Sequence, residues 1–254
     1  MRKKTRIIAN WKMNPASLAE AKVLFAQTKK EGSKFDKVET IICPPSLYLG
    51  LFAHTGTTRV SLGAQDGFYA NGARATGQVS PEMLADVGVS YCIVGHSERR
   101  AFGETDDVVA KKTLAVLKEG MNAVLCIGEQ VRDVDGHYFG VLKNQLKDSL
   151  MGVQKKWLPG LIVAYEPVWA IGKSARDAMK PRDIHEMAIF IQKVLTDMYD
   201  PTSASSIPLL YGGSAEEGNT SPILTEGCVS GLLVGHASLD VKKFSKMIKA
   251  ANAV

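Results

Sequence analysis

Short β-branched apolar runs alternate along the chain with longer segments in which apolar residues recur every three or four positions, and the alternation repeats eight times. The strand-type runs are Arg6–Asn10, Val38–Cys43, Val60–Ala64, Tyr91–Val94, Ala123–Ile127, the run from Leu161 that stops on Glu166, Ile207–Tyr211 and Val229–Val234. Helix starts stand between them. Ser17 three residues before Glu20 forms a capping box for a helix with Leu18, Ala21, Leu24 and Phe25 on its apolar face. A short helix is predicted at Leu47–Phe52, and Ser80–Pro81 opens another that runs through Val87. Thr105 caps a helix bearing Val109, Thr113, Val116 and Leu117, and a further helix aligns Tyr138, Val141, Leu142, Gln145 and Leu146. Pro181 starts the clearest one, with Ile184, Met187, Ala188, Ile191, Leu195 and Met198 in a stripe. A short segment at Ser221–Leu224 follows, and Ser238 is expected to cap a last helix with Val241, Phe244, Met247, Ile248 and Ala251.

Near-continuously apolar strands alternating with helices predict an α/β fold with a parallel sheet covered by helices. Eight such units favour a closed (β/α)8 barrel over an open doubly wound sheet, which is the alternative. No Pro-, Gly- or Ser-rich linker interrupts the pattern, so residues 1–254 read as a single domain. At 45% hydrophobic and 22% charged, the composition is that of an ordinary globular protein. The net charge of +5 is spread among acids and argues against nucleic acid while suiting a small anionic substrate. No apolar stretch approaches a membrane span, and the start, MRKKTRIIANWKMN, lacks the apolar core of a signal peptide. Cys43, Cys92, Cys126 and Cys228 show no CxxC spacing, and the first three lie in or at the end of apolar runs. They read as buried thiols of a cytoplasmic protein.

Candidate chemistry collects at the C-terminal ends of the strands. Asn10 and Lys12 follow the first, His96 and Glu98 the fourth, Glu166 the sixth, Ser214 the seventh and Gly235 the eighth. In a barrel these ends share one rim, where such folds place their active sites. Glu166 at the end of a buried strand is expected to be desolvated, which raises a carboxyl pKa toward the range useful for proton transfer. The residues after it, Pro167, Val168, Trp169, Ala170, Ile171, Gly172 and Lys173, read as a hinged lid. Taken alone, each candidate has a plainer reading: His96 as a hydrogen-bonded structural residue, Lys12 as a solvated surface lysine, Asn10 as a turn residue, Glu98 as half of a structural ion pair. Weaker motifs fail on inspection. Gly172–Ser174 is not a P-loop because Pro167 stands at its first glycine position. His185-Glu186 lacks the second histidine of HExxH, and Val131 replaces the first ligand of a calcium loop at Asp133–Gly136. No metal or organic cofactor is implied.

Six runs, each at a strand end, resemble the triosephosphate isomerase family: NWKMN at Asn10–Asn14, GAQD at Gly63–Asp66, VGHSERR at Val94–Arg100, CIGE at Cys126–Glu129, AYEPVWAIG at Ala164–Gly172 and LYGGS at Leu210–Ser214. The resemblance covers essentially the whole chain and implies a TIM barrel. It also implies interconversion of dihydroxyacetone phosphate and D-glyceraldehyde 3-phosphate through an enediolate. Under it Glu166 is the base, His96 the electrophile, and Lys12 the cation for the phosphate and the developing oxyanion, with Asn10 an amide donor. Glu98, Cys126 and Tyr211 are supporting residues, Glu98 to orient Lys12 and Tyr211 to bond the closed lid. The phosphate is expected on the backbone N–H groups of Gly172, Ser214, Gly235 and His236. A neutral His96, its pKa lowered by a helix N-terminus, also comes from the resemblance, which is a worked example of that effect. The family further implies a homodimer through the Asp66–Val79 loop.

The chain departs from the family in three places. Lys173–Lys180 is longer than the family's lid hinge, His236 stands in place of a second glycine, and Gln78 replaces a glutamate in TGQVS, while Gln65 and Thr76 match. The altered lid and His236 keep two other readings open: an isomerase for a four-carbon phosphorylated ketose, and a catalytically silent barrel serving as a binding module.

Overall fold

The computed structural model describes residues 4–57, 59–172 and 178–254. Its strands are β1 (Thr5–Asn10), β2 (Val38–Cys43), β3 (Val60–Ala64), β4 (Tyr91–Val94), β5 (Asn122–Ile127), β6 (Leu161–Tyr165), β7 (Leu209–Tyr211) and β8 (Gly231–Val234). They pair in sequence order, all parallel, and β8 closes onto β1, so the (β/α)8 barrel is present and the open sheet is not. The register sets Asn10 beside Cys43 and Ile127 beside Tyr165, bringing the C-terminal strand ends to a common rim.

The period of two along each strand divides the core into two layers. Ile8, Ile41, Ile93, Val124, Ile162, Leu210 and Leu233 point into the barrel and fill it. Ile7, Ala9, Ile42, Val94, Leu125 and Val163 point outward under the helices. Those helices are α1 (Leu18–Gly32), α2 (Ser46–Leu49), α3 (Pro81–Asp86), α4 (Ser97–Ala101), α5 (Asp106–Lys118), α6 (His137–Ser149), α7 (Pro181–Met198), α8 (Pro201–Ser206), α9 (Thr220–Thr225) and α10 (Val241–Ala253). Ser17, Ser80 and Thr105 cap their helices as expected, each side chain accepting a first-turn N–H. Among the described residues no helix is long and apolar enough to cross a membrane. Cys43, Cys92 and Cys126 are buried and free, and Cys228 is exposed.

Several local expectations are corrected. The cap of α10 is Asp240, whose Oδ1 accepts from the N–H groups of Lys242 at 2.9 Å and Lys243 at 3.1 Å. Ser238 instead lies buried in a 3-10 turn (His236–Leu239) and donates to the Gly235 carbonyl at 2.7 Å. β7 begins at Leu209 rather than Ile207, because the intervening Pro208 has no N–H for the ladder. Val141 is 52% exposed, since α6 buries the row Tyr138, Leu142, Leu146 and Ser149 one position away. Leu18 is likewise exposed at the start of α1. The buried face of α5 includes Lys112, only 2% exposed, which hydrogen-bonds both carboxylate oxygens of Asp66 and also pairs with Glu104. Two acids meeting one ammonium offset the desolvation that would otherwise bar a lysine from that position.

Candidate active site

The inward alternation continues past the strand ends, so Ile8 leads to Asn10, Ala164 to Glu166, Leu210 to Gly212 and Leu233 to Gly235. Polar groups and glycines thus replace apolar side chains at the rim and leave a cavity of about 230 Å3. Asn10, Lys12, His96, Glu166, Gly172, Ser214, Gly235 and His236, eight of the residues singled out in the sequence, all border it. Cys126 is fully buried in the layer below, with its thiol donating to the Val124 carbonyl at 3.9 Å, while Tyr211 is buried at the end of β7.

Glu166 is 2% exposed, with Oε1 3.2 Å from His96 Nε2 and Oε2 accepting from the Ser97 N–H at 3.3 Å. Burial pushes its carboxyl pKa up, as the sequence predicts, but His96, the Ser97 N–H and the Cys126 thiol outweigh it. The net shift is downward from the ordinary glutamate value, which corrects that expectation. His96 is the N-cap of α4, and its Nδ1 accepts from the Glu98 N–H at 3.2 Å. An obligatory donor aimed at Nδ1 leaves the ring proton on Nε2, facing Glu166. Burial pushes the His96 pKa down, yet the adjacent Glu166 carboxylate pulls harder and the net direction is up, opposite to the lowering expected from the resemblance. Gly212 gives Glu166 its room: a Cβ there would stand 2.7 Å from Glu166 Cγ.

Lys12 has φ +52°, left-handed and uncommon outside glycine. The conformation is clamped from both sides. Asn10 Oδ1 accepts from the Lys12 N–H at 3.0 Å, and Gln65 Nε2 donates to the Lys12 carbonyl at 2.8 Å. The turn throws the side chain across the rim, where Nζ lies 2.6 Å from Glu98 Oε1. The expected Glu98–Lys12 pairing is therefore present.

A 3-10 turn (Val168–Ala170) follows Glu166 and opens the lid. Glu129, buried after β5, accepts at Oε1 from the Tyr165 hydroxyl at 2.9 Å and the Trp169 indole N–H at 2.8 Å. Its carbonyl accepts from the Val168 N–H at 3.0 Å. Ser214 Oγ donates to the Ala170 carbonyl at 2.8 Å. Gly172 has φ +76° at the cavity edge, and Lys173 lies outside the described residues. The Tyr211 hydroxyl sits beside the Met179 backbone, with no partner at hydrogen-bonding geometry among the described residues, and burial raises its pKa.

Sequence reasoning did not single out Glu129, Gln65 or Gly212 for the site. Glu129 and Gln65 stand in the CIGE and GAQD runs, but a side chain that acts by holding another leaves no periodicity to read. Among the described residues one cluster could surround a cation, Asp133, Asp135 and His137, and it does not border the cavity. Asp133 is already engaged, accepting from the His137 N–H at 2.9 Å and the Tyr138 N–H at 3.1 Å at the start of α6.

Comparison with known proteins agrees with this geometry. The family model described as triosephosphate isomerase matches residues 5–251. A triosephosphate isomerase of Dehalococcoides mccartyi is 38% identical over 248 residues, 96% of each chain. One from Thermoanaerobacter pseudethanolicus is 36% identical over 248 residues, covering 95% of this chain and 97% of the relative. The chain belongs to the triosephosphate isomerase family.

Proposed function

We propose that the protein interconverts dihydroxyacetone phosphate and D-glyceraldehyde 3-phosphate, with Glu166 as base and His96 as electrophile. The observation that carries this is the contact of Glu166 Oε1 with the protonated Nε2 of His96, 3.2 Å apart at the wall of a small cavity. Each satisfies the other. A bound substrate separates them: Glu166 takes the proton from the carbon beside the carbonyl, and the C–H electron pair becomes the enediolate double bond. The carbonyl electrons move onto the oxygen, which receives the hydrogen bond from His96 Nε2. The proton of the adjacent hydroxyl passes to that oxygen by way of His96 Nε2, so the negative charge moves to the other oxygen. Return of the carbon-bound proton to the former carbonyl carbon then forms the new carbonyl and completes the isomerisation. Lys12 supplies positive charge to the oxyanion, held in place by Glu98. Asn10 has its Oδ1 committed to the Lys12 N–H, which leaves its amide N–H2 to donate to substrate oxygens.

The phosphate sits on the backbone N–H groups of Gly172, Ser214, Gly235 and His236. In support, none of these four donates to a protein carbonyl among the described residues, and all four residues border the cavity. Lid closure excludes water from the enediolate and gives the Tyr211 hydroxyl a backbone partner. The protein acts as a homodimer in the cytoplasm, the Asp66–Val79 loop being its main contact. The base of that loop is tied by the Phe68 N–H to the Val79 carbonyl at 2.8 Å, while Asn71–Arg74 are exposed. A coupled isomerase assay on the pure protein tests the activity. Turnover of the triose phosphates is expected, and its absence overturns the reading.

A further inference from the structure

Three ionisable side chains border the same cavity without a part in the mechanism: Glu216, His236 and Lys243. Lys243 stands in the first turn of α10, where its N–H is tied to Asp240 Oδ1 at 3.1 Å. Its ammonium makes no ion pair among the described residues. Lys12, the other lysine on the cavity, is committed to Glu98 at 2.6 Å. Lys243 is thus a cation of the cavity with no ion pair among the described residues, although the Asp240 carboxylate of the same helix start feels its charge. His236 and Ser214, whose amides donate to no protein carbonyl among the described residues, line the same cavity. Glu216 faces that space too, and it makes no ion pair among the described residues. A dianion entering the cavity meets one carboxylate and one ammonium without ion pairs among the described residues.

We propose that Lys243 is a substrate-affinity residue, an ammonium that holds the phosphate dianion alongside the backbone amides and offsets Glu216. The identity of the substrate rests on the isomerase reading; the phosphate contact itself does not. An exposed ammonium acting on a dianion a few ångströms away contributes about 3- to 10-fold in affinity at low ionic strength, and salt screens it.

The test compares wild type with Lys243→Met and Lys243→Arg by calorimetry with inorganic phosphate at low and raised ionic strength, and by steady-state kinetics. Lys243→Met is expected to weaken phosphate binding by about 3- to 10-fold at low salt. Its binding should depend less steeply on salt than that of wild type, and KM should rise more than kcat falls. Lys243→Arg should restore the affinity. Equal phosphate affinity in wild type and Lys243→Met, or no phosphate binding by wild type, overturns the assignment. If wild type shows no isomerase activity yet the methionine variant still loses phosphate affinity, the proposed function fails and the Lys243 contact stands.

Discussion

At Glu166, burial and hydrogen bonding act in opposite directions, and which one wins decides how the enzyme behaves in acid. Burial favours the neutral acid, while His96, the Ser97 N–H and the Cys126 thiol favour the carboxylate, with the net effect downward. A base with a depressed pKa stays ionised as pH falls through the ordinary glutamate range and is lost only below it. The pH profile of kcat/KM reports groups of the free enzyme. Because His96, with its raised pKa, titrates on the same side of that profile, Glu166 is read directly, by the carboxyl infrared band that Glu166→Gln removes, and it is expected to protonate below the ordinary glutamate value of 4.5. Protonation near 6 or above would show that desolvation dominates after all. Glu166→Gln, which keeps the size of the side chain, should lower kcat by about 10²- to 10⁴-fold. A fully active variant would remove Glu166 from the chemistry.

At the scale of the element, the proposed lid starts where β6 ends. Glu129 holds Tyr165 and Trp169 at one end, Ser214 holds Ala170, and Gly172 turns the chain at φ +76°. A Cβ at Gly172 meets nothing within 4 Å among the described residues, and the left-handed conformation itself costs an alanine about 1–2 kcal/mol. An alanine lid that relaxes out of this conformation when open and must regain it on closure pays the cost in the closed state alone, so kcat/KM should fall by roughly 5- to 30-fold. Leakage should grow as well, read as inorganic phosphate released per isomerisation event. An unchanged ratio would mean that Gly172 is not part of the seal.

Elements of this kind also divide what could be read in the sequence from what could not. Strand runs and helix stripes were legible because each buries a periodic face, as Ile184, Met187 and Ile191 do in α7. α4 and α8, with five and six residues, are too short to show a period. Ser238 and Asp240 both suit a cap, and only the path of the preceding 3-10 turn chooses between them. In the site, the residues that border the cavity were legible from their place after strands and from the family runs. Glu129, Gln65 and Lys243 were not, since their importance lies in contacts brought together by barrel closure.

At the scale of the whole molecule, the barrel is not sealed around Lys12. A second cleft runs from Asn10, Lys12, His96 and Glu98 outward to Gly77, Gln78 and Phe102. Of its lining, Met13 is 93% exposed and Phe102 87%. Large apolar side chains so exposed beside a functional cleft mark an interaction surface. A second copy supplies a cover if its Asp66–Val79 loop enters this cleft, and Lys12 then gains support that a lone barrel lacks. Sedimentation should therefore give twice the 27.5 kDa chain mass. Phe102→Glu sets a charge into that face at an exposed position that folding does not need, and it should produce monomers with the barrel intact by circular dichroism. Their activity should drop by about 10²-fold, the penalty for moving a positioned group by an ångström. Fully active monomers would separate the catalytic rim from the interface, and Gln65 and Asn10 alone would then suffice to hold Lys12 in its left-handed turn.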